Sequence, residues 1–176
     1  MTDTSDRPIA IDLFCGAGGM SLGFEQAGFA VVAAVDHDPI HVEIHRLNFP
    51  NCNTIQADLS KLSGDTLRSR SDLDEDVQID VVFGGPPCGG FSTMGRNDPE
   101  DPRNDLVEHF ARLVNELEPL YFVVENVVGI TTESMNGHLA DFENRLSSNY
   151  SLVSPRRILD ASKFGVPQRR RRVFIL

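Results

Sequence analysis

The chain has 176 residues, of which 40% are hydrophobic, so it is long and apolar enough to form one domain with a substantial core. No charged and apolar leader opens the sequence and no apolar run is long enough to span a bilayer, so we expect a cytoplasmic protein without a membrane partner. The three cysteines, Cys15, Cys52 and Cys88, are widely spaced and odd in number, which argues against a disulfide framework and against a zinc site.

The net charge of −10 disfavours general binding of nucleic acid, but the charge is unevenly distributed. Seven of the 16 basic residues lie between Arg156 and Arg172, where Asp160 is the only acidic residue. A basic edge on an acidic body can bind a polyanion with strong salt dependence. On charge alone, a solvated surface explains the arginine run equally well.

Apolar runs with strand character alternate with helical patterns, which predicts a doubly wound α/β sheet that is mostly parallel and ends in an antiparallel strand pair. We expect residues 1–8 to be frayed and residues 9–176 to form one domain. The predicted strands cover residues 9–14, 29–35, 53–56, 79–83, 121–124, 151–159 and 171–176. Helices should follow the first strand to Gly28, follow the second to about Phe49, and cover residues 106–117 and 138–147, whereas residues 59–78 hold at most one short helix.

A glycine loop, Cys15 to Gly19, follows the first strand and precedes a helix, as in folds that cradle a nucleotide-like cofactor. A dinucleotide fingerprint would need glycine where the chain has Ser21, so NAD and FAD are disfavoured and S-adenosylmethionine fits as well or better. Asp36, at the end of the second strand, is placed to bind ribose hydroxyls, and Asp58, after the third, to accept from an adenine amino group. Each acid taken alone is more often an exposed helix cap.

The segment Gly84 to Ser92 follows a buried strand and presents Cys88 at its carboxyl end, where open α/β sheets bind ligands. Two prolines hold the chain extended, and the glycines allow close approach to the sulfur. A lone Pro-Cys is more often a plain turn. The polar stretch 93–105 is a candidate mobile cover for the cysteine, because long loops in compact domains are often lids.

The expected sheet order places the first strand beside the cysteine strand, followed by the strand that leads to Glu125. An antiparallel final strand begins at the same edge, and alternation along it puts Gln168, Arg170 and Arg172 on one face. A thiol, a carboxyl group, arginines and a methyl donor together suit attack on cytosine. Thiolate addition at C6 with protonation at N3 makes C5 nucleophilic, so Glu125 needs a raised pKa and the base must be flipped out of a duplex.

Four ordered motifs resemble those of the C5-cytosine DNA methyltransferase family over residues 9–176. They are the stretch Asp12 to Gly19, the catalytic segment Gly84 to Ser92, the sequence Glu125-Asn126-Val127, and Gln168 to Arg172. The resemblance implies methylation of C5 in DNA by S-adenosylmethionine, without a metal, through a covalent adduct with a flipped cytosine. It makes Cys88 the nucleophile toward C6, Glu125 the partner of N3, and Arg170 and Arg172 active-site arginines.

By the same resemblance, eight residues line the methyl-donor pocket and three others belong to the mobile loop or contact nucleic acid. The eight are Phe14, Gly16, Gly18, Asp36, His37, Asp58, Leu59 and Leu106, and the three are Ser92, Arg103 and Gln168.

Two departures from the family pattern bear on activity. Gly89 stands where the family usually has glutamine, which removes a side chain that can contact DNA around the flipped base. The family's target-recognition region and last two motifs, which normally follow, are not among the 176 residues. We therefore expect the catalytic subunit or fragment of a split or truncated enzyme, weak alone. Its expected partners are double-stranded DNA, which would hold it at the nucleoid, and a second subunit that carries the recognition region.

Two alternatives stay open on the sequence. Relatives that methylate cytosine in tRNA share the same motifs, and a degenerate cofactor-binding or regulatory module would retain the fold without the activity. Zinc-dependent deamination is set aside, because Pro87-Cys88 is not followed by the second cysteine that this chemistry requires.

Overall fold

The computed structural model describes residues 7–87, 105–131 and 136–176 as one seven-stranded sheet with flanking helices. Cys88, Ser92 and Arg103 lie outside the described residues, and of the candidate cover only Asp105 is described, as the first residue of a helix. The strands are β1 Ile9–Leu13, β2 Ala30–Asp36, β3 Asn53–Gln56, β4 Val81–Gly84, β5 Tyr121–Val127, β6 Arg157–Asp160 and β7 Arg171–Ile175. The α-helices are α1 Gly19–Gln26, α2 Pro39–Asn48, α3 Gly64–Arg70, α4 Asp105–Leu117 and α5 Asn136–Leu146.

The strand order across the sheet is β3-β2-β1-β4-β5-β7-β6. Neighbouring strands from β3 to β5 are parallel, whereas β7 runs antiparallel to both β5 and β6. This order confirms the predicted doubly wound sheet, with β1 beside the cysteine strand β4 and an antiparallel pair at the C-terminal edge. The chain crosses from β3 to the other side of β1 to form β4, so the carboxyl ends of β1 and β4 flank the switch point where such sheets bind ligands.

Side chains along β1 alternate between two layers of helices. Ile11 and Leu13 are fully buried in the larger core, to which α3, α4 and α5 contribute. Ala10 belongs to a smaller cluster beneath α1, and the next residue on that face, Asp12, bonds to Ser21 of α1. The strand period of two therefore directs a buried carboxylate toward α1.

Helix α4 confirms the predicted amphipathic helix. Phe110, Leu113, Val114 and Leu117 are fully buried on its inner face, whereas Leu106, in the first turn, is only half-buried. In the part of the chain that the structure describes, none of the helices combines the length and the hydrophobicity needed to cross a bilayer.

Two strands differ from the sequence-based prediction by three residues or more at one end, whereas the other boundaries agree within two residues. The polar pair Glu125-Asn126 suggests that the fifth strand ends at Val124, but β5 continues to Val127 because the antiparallel partner β7 pairs with this segment. The predicted strand 151–159 shortens to Arg157–Asp160. Pro155 has no N–H to donate to a strand ladder, which explains why regular pairing begins only after it.

Candidate active site at the carboxyl edge of the sheet

A cavity of about 460 Å³ opens at the carboxyl ends of β1 and β4 and extends to β6 and β7. This volume lies in the range of small-molecule sites. The lining residues come from the glycine loop and α1, from the turn after β4, and from the C-terminal strands. They are Asp12, Phe14, Cys15, Gly19, Met20, Gly85, Glu125, Leu159, Ala161, Phe164, Arg170, Arg172 and Phe174.

The glycine loop is shaped by its contact with α2. Gly18 has φ +93°, and a Cβ atom there would lie 2.1 Å from the ring of Phe49. Only glycine meets both the left-handed backbone and the close approach. Gly18 is also the N-cap of α1 and has no side chain with which to cap it, so within the described residues the N–H of Ser21 is the first-turn amide that interacts with a carboxylate, that of Asp12.

Asp36 at the end of β2 ties the glycine loop to the sheet. Its carboxylate accepts from the backbone N–H of Gly16 at 2.9 Å and from that of Asp38 at 2.9 Å. The side chain is only 8% exposed, and the imidazoles of His37 and His41 lie 3.4 and 3.3 Å from Oδ1. A carboxylate can accept further hydrogen bonds, so the ribose contact stays a prediction for Asp36.

Asp58 after β3 forms a turn of its own. Its Oδ1 accepts from the N–H and the hydroxyl of Ser60, and its Oδ2 pairs with Lys61 at 3.1 Å. Hydrogen bonds from Ser60, with Lys61 adding to them, lower the pKa of Asp58 to about 2. Its adenine contact likewise stays a prediction.

The cavity brings together some of the predicted site residues and leaves others outside its lining. Phe14, Glu125, Arg170 and Arg172 line it. The predicted residues outside the lining are Gly16, Gly18, Asp36, His37, Asp58, Leu59, Leu106 and the exposed Gln168.

Glu125 lies between two arginines at the cavity wall. Its Oε1 is 2.9 Å from Nε of Arg172 and 3.7 Å from Nη2 of Arg170, and the carboxyl side chain is 20% exposed. Burial raises the pKa of Glu125 above its ordinary value, while the two guanidinium groups oppose this rise. Arg170, Arg172 and Phe174 share the cavity face, whereas Val173 between them is buried in the core.

The turn that leads to the cysteine is anchored to the strand of this glutamate. The buried Asn126 donates from Nδ2 to the carbonyl oxygen of Pro86 at 3.2 Å. A Cβ atom on Gly84 would lie 2.0 Å from the carbonyl oxygen of Leu13, so glycine is needed where β4 passes the end of β1. The described part of the turn ends at Pro87, immediately before Cys88.

The sequence does not predict a buried chain of hydrogen bonds that ends at the cavity. Ser21 donates to Asp12 at 2.5 Å, His45 Nε2 lies 3.0 Å from the Ser21 hydroxyl, and His45 Nδ1 lies 2.8 Å from the Thr54 hydroxyl. Burial raises the pKa of Asp12 to about 7, because the hydrogen bond from Ser21 only partly offsets the desolvation. Two features of the sequence could have indicated this contact: Asp12 is a carboxylate within an apolar strand, and Ser21 stands where a dinucleotide fingerprint has glycine.

The two described cysteines are poor nucleophiles. Burial raises the pKa of the Cys15 thiol and of the Cys52 thiol well above the ordinary value, and nearby carboxylates add to the effect. Both therefore remain protonated at neutral pH. Among residues 7–87, 105–131 and 136–176, no group of three metal-ligating side chains is close enough to hold a metal ion.

An open α/β sheet with a glycine loop at its switch point, a carboxylate after β2 and a glutamate between arginines defines a cofactor-binding domain with acid–base groups. The family model for C-5 cytosine-specific DNA methylase matches residues 9–176. The chain belongs to this family, and the curated relatives named below are type II methyltransferases.

Curated relatives align with nearly the whole chain. The type II methyltransferase M.XorII of Xanthomonas oryzae is 48% identical over 97% of this chain and 40% of its own length. M1.HphI of Haemophilus parahaemolyticus is 39% identical, with 94% and 44% covered. M.AquIA of Picosynechococcus is 38% identical, with 94% and 70% covered. The chain thus spans about two fifths of the first two relatives.

Solved structures agree with this placement. A candidate DNA modification methyltransferase encoded within an E. coli prophage is 40% identical, with a TM-score of 0.85 over 96% of this chain and 45% of that protein. The Dnmt2 methyltransferase of S. pombe is 24% identical, with a TM-score of 0.71 over 96% of this chain and 50% of that protein. The second similarity supports the fold alone.

Proposed function

We propose that this chain carries the catalytic half of an enzyme that transfers a methyl group from S-adenosylmethionine to C5 of a flipped cytosine in double-stranded DNA. The observation that carries the proposal is Glu125, a half-buried carboxyl group with a raised pKa, held by Arg172 beside the turn that leads to Cys88. A raised pKa favours the protonated carboxyl group, which can donate a proton to a ring nitrogen.

In the proposed reaction the Cys88 thiolate forms a bond to C6 of cytosine, and the C5–C6 π electrons become available at C5. Glu125 supplies the proton that N3 takes up as the ring gains electron density. When bound, S-adenosylmethionine would supply an electrophilic methyl group on a sulfonium, whose S–CH3 bond breaks as C5 takes the methyl group and leaves the thioether S-adenosylhomocysteine. After C5 gains the methyl group it loses its proton to a base, the S–C6 bond breaks, and N3 returns its proton to Glu125.

Two arginines are suited to assist Glu125. Both arginines approach Oε1, and within the described residues neither a hydrogen bond nor an ion pair reaches Oε2, which is the oxygen proposed to face the base. Arg170, whose side chain is 51% exposed, is placed to contact the base or a phosphate at the mouth of the cavity. A positive charge near Cys88 would also favour the thiolate.

The first fit to S-adenosylmethionine is electrostatic. Asp12 lines the cavity as a buried carboxyl group, and within the described residues no basic side chain forms an ion pair with it. A buried anionic group without a cationic partner suits a ligand that carries a sulfonium and an ammonium. The N-terminus of α1, whose N-cap Gly18 has no side chain, suits the carboxylate of the same ligand.

The remaining cofactor residues are assigned by position. Phe14 in the cavity, Asp36 with His37 after β2, and Asp58 with Leu59 after β3 follow the carboxyl edge of the sheet. Gly16 and Gly18 shape the loop between them, and Leu106 lies in the first turn of α4. We propose that these residues hold the adenosine part of the cofactor.

DNA recognition is proposed to come from surface that the 176 residues do not contain. The relatives M.XorII and M1.HphI are more than twice as long as the segment they share with this chain. M.AquIA, covered to 70%, is considerably shorter. We propose that the catalytic half works with a recognition part, either on the same chain or on a second subunit. Ser92, Arg103, Gln168 and the exposed arginines from Arg169 onward are the proposed nucleic-acid contacts.

The proposal is tested by trapping the adduct. Duplex DNA that contains 5-fluorocytosine in place of cytosine is mixed with S-adenosylmethionine and the chain, alone and with the part of M.XorII that this chain does not match. Fluorine at C5 cannot leave as a proton, so the S–C6 bond should persist and appear as a protein–DNA band on a denaturing gel.

Cys88→Ser should abolish this band, whereas Cys52→Ser, at a thiol outside the cavity, should leave it intact. A band that survives Cys88→Ser would refute the assigned nucleophile. Absence of any band with the recognition part present would support a module without activity. A band with 5-fluorocytosine-containing tRNA but not with duplex DNA would show that the substrate is tRNA.

A further inference from the structure

The Gly16–Gly19 loop is contacted by side chains from the last turn of α2 and from Phe49, which follows that helix. Asn48 donates from Nδ2 to the carbonyl oxygen of Ala17 at 2.9 Å. The rings of His45 and Phe49 stack at 4.7 Å and pack against Gly18.

His45 also reaches past the loop to the cavity wall. Its ring is fully buried, and its two nitrogens bond to Ser21 and Thr54. When Asp12 is ionised, the only hydroxyl hydrogen of Ser21 points to that carboxylate, so His45 Nε2 must donate to Ser21 and Nδ1 must accept from Thr54. Burial lowers the pKa of His45, which agrees with this neutral ring.

A purely structural role explains this arrangement poorly. A buried polar chain is seldom more stabilising than well-packed apolar side chains of the same volume, because each member must be desolvated. This series of hydrogen bonds ends at the carboxyl group of Asp12, which lines the cavity. The same helix begins at Asp38, next to Asp36, which holds the N–H of Gly16. Helix α2 therefore contacts the glycine loop through Asn48 at its C-terminal end and Asp36 through the N–H of its N-cap Asp38.

We propose that Asn48, His45 and Phe49 are positioning residues for the cofactor: they fix the Gly16–Gly19 loop and the Asp12 side chain in the geometry that binds S-adenosylmethionine. This inference rests on the cofactor assignment proposed above. It adds residues that lie outside the four sequence motifs and outside the cavity lining.

The test compares Asn48→Ala and Asn48→Asp with Asn115→Ala. Asn115 makes a similar amide-to-carbonyl bond, to Arg145 at 3.0 Å, but between α4 and α5, and so serves as the matched control. Cofactor affinity is measured by titration calorimetry, stability by thermal unfolding, and opening of the Gly16–Gly19 loop by amide hydrogen exchange without ligand.

Both Asn48 variants should weaken cofactor binding by roughly three- to tenfold, as expected for one lost hydrogen bond, and should speed exchange in the loop. Asn115→Ala should lower the melting temperature about as much as Asn48→Ala does. It should change neither cofactor affinity nor hydrogen exchange in the Gly16–Gly19 loop. Cofactor affinity within twofold of the unchanged chain together with unaltered loop exchange would overturn the inference.

His45 is tested by two replacements that differ in hydrogen bonding. His45→Phe keeps a ring stacked on Phe49 but breaks both bonds, and His45→Gln keeps a donor for Ser21. Binding should fall in the first variant and recover in large part in the second. Equal loss in both would refute the hydrogen-bond role. Failure of the unchanged chain to bind S-adenosylmethionine would refute the cofactor assignment instead, while loop exchange would still report on the positioning by α2.

Discussion

Asp12 should make the stability of the fold fall as pH rises through the acidic range. Its carboxyl group is 1% exposed, and burial raises its pKa from 3.8 to about 7. Because the folded state holds this proton more tightly than the unfolded state, the stabilisation is complete below pH 4 and is lost by about pH 7. Asp12→Asn stays neutral at every pH, and its amide oxygen can still accept from Ser21.

The magnitude follows from linkage at about 1.4 kcal/mol per pH unit. Between pH 5 and pH 8 the unfolding free energy of the unchanged chain should fall by about 2–3 kcal/mol relative to Asp12→Asn. Urea unfolding at both pH values, with equal slopes for the two proteins, measures this difference. The other titratable groups around Asp12, which are Asp36, Cys15, Cys52 and His45, are present in both proteins. The Asp12 charge acts on the two thiols, but burial keeps both protonated throughout this pH range. A stability difference that does not change with pH would refute the assignment of a buried, uncompensated carboxyl group.

Three further substitutions test the loop and the acid–base group. Gly18→Ala should destabilise the fold by about 1–3 kcal/mol in urea unfolding, because Gly18 has a positive φ and lies against Phe49. Gly23→Ala, in open space on α1, should be neutral or stabilising. Equal effects of the two substitutions would contradict the clash. Glu125→Gln should slow trapping of 5-fluorocytosine by roughly 10²–10⁴-fold, and an unchanged rate would exclude Glu125 as the N3 proton donor. Arg172→Met removes a charge that lowers the pKa of Glu125, so the pH profile of trapping should shift upward; a shift toward acid would show that the arginine does not act through this carboxyl group.

The fold could be predicted from the sequence because its signals are local. Apolar runs bounded by glycines mark β1, β2 and β4, and the order of the parallel strands is the one expected for a doubly wound fold with a glycine loop at its switch point. The sequence failed at the end of β5 and at β6. Glu125 and Asn126 are polar, and only pairing with β7, which lies more than 40 residues further along the chain, keeps them in a strand.

Some contacts of the candidate site could likewise be predicted from the sequence, and others could not. The meeting of Glu125 with Arg172 follows from strand order and period, and the structure places them 2.9 Å apart. The hydrogen bonds that link Asp12 to Thr54 through Ser21 and His45 could not be predicted, because they depend on how α1 and α2 pack on β1 and β3. Four polar residues from separate elements meet only when the helices dock, and no spacing within the sequence records that contact.

The two carboxyl groups at the cavity suggest how a donor and an acceptor would be arranged. Asp12, on β1, has no ion-pair partner within the described residues, so it favours a cation; Glu125, on β5, is held by two arginines and favours a ring that gains electron density. Strand β4 lies between β1 and β5, and its turn at Gly85 enters the cavity between the two acids. On the proposed mechanism, the methyl donor would be held on the Asp12 side of this turn and the base on the Glu125 side. The same strand order that forms the switch point would thus place donor and acceptor beside each other at the end of β4, the strand whose sequence continues to Cys88.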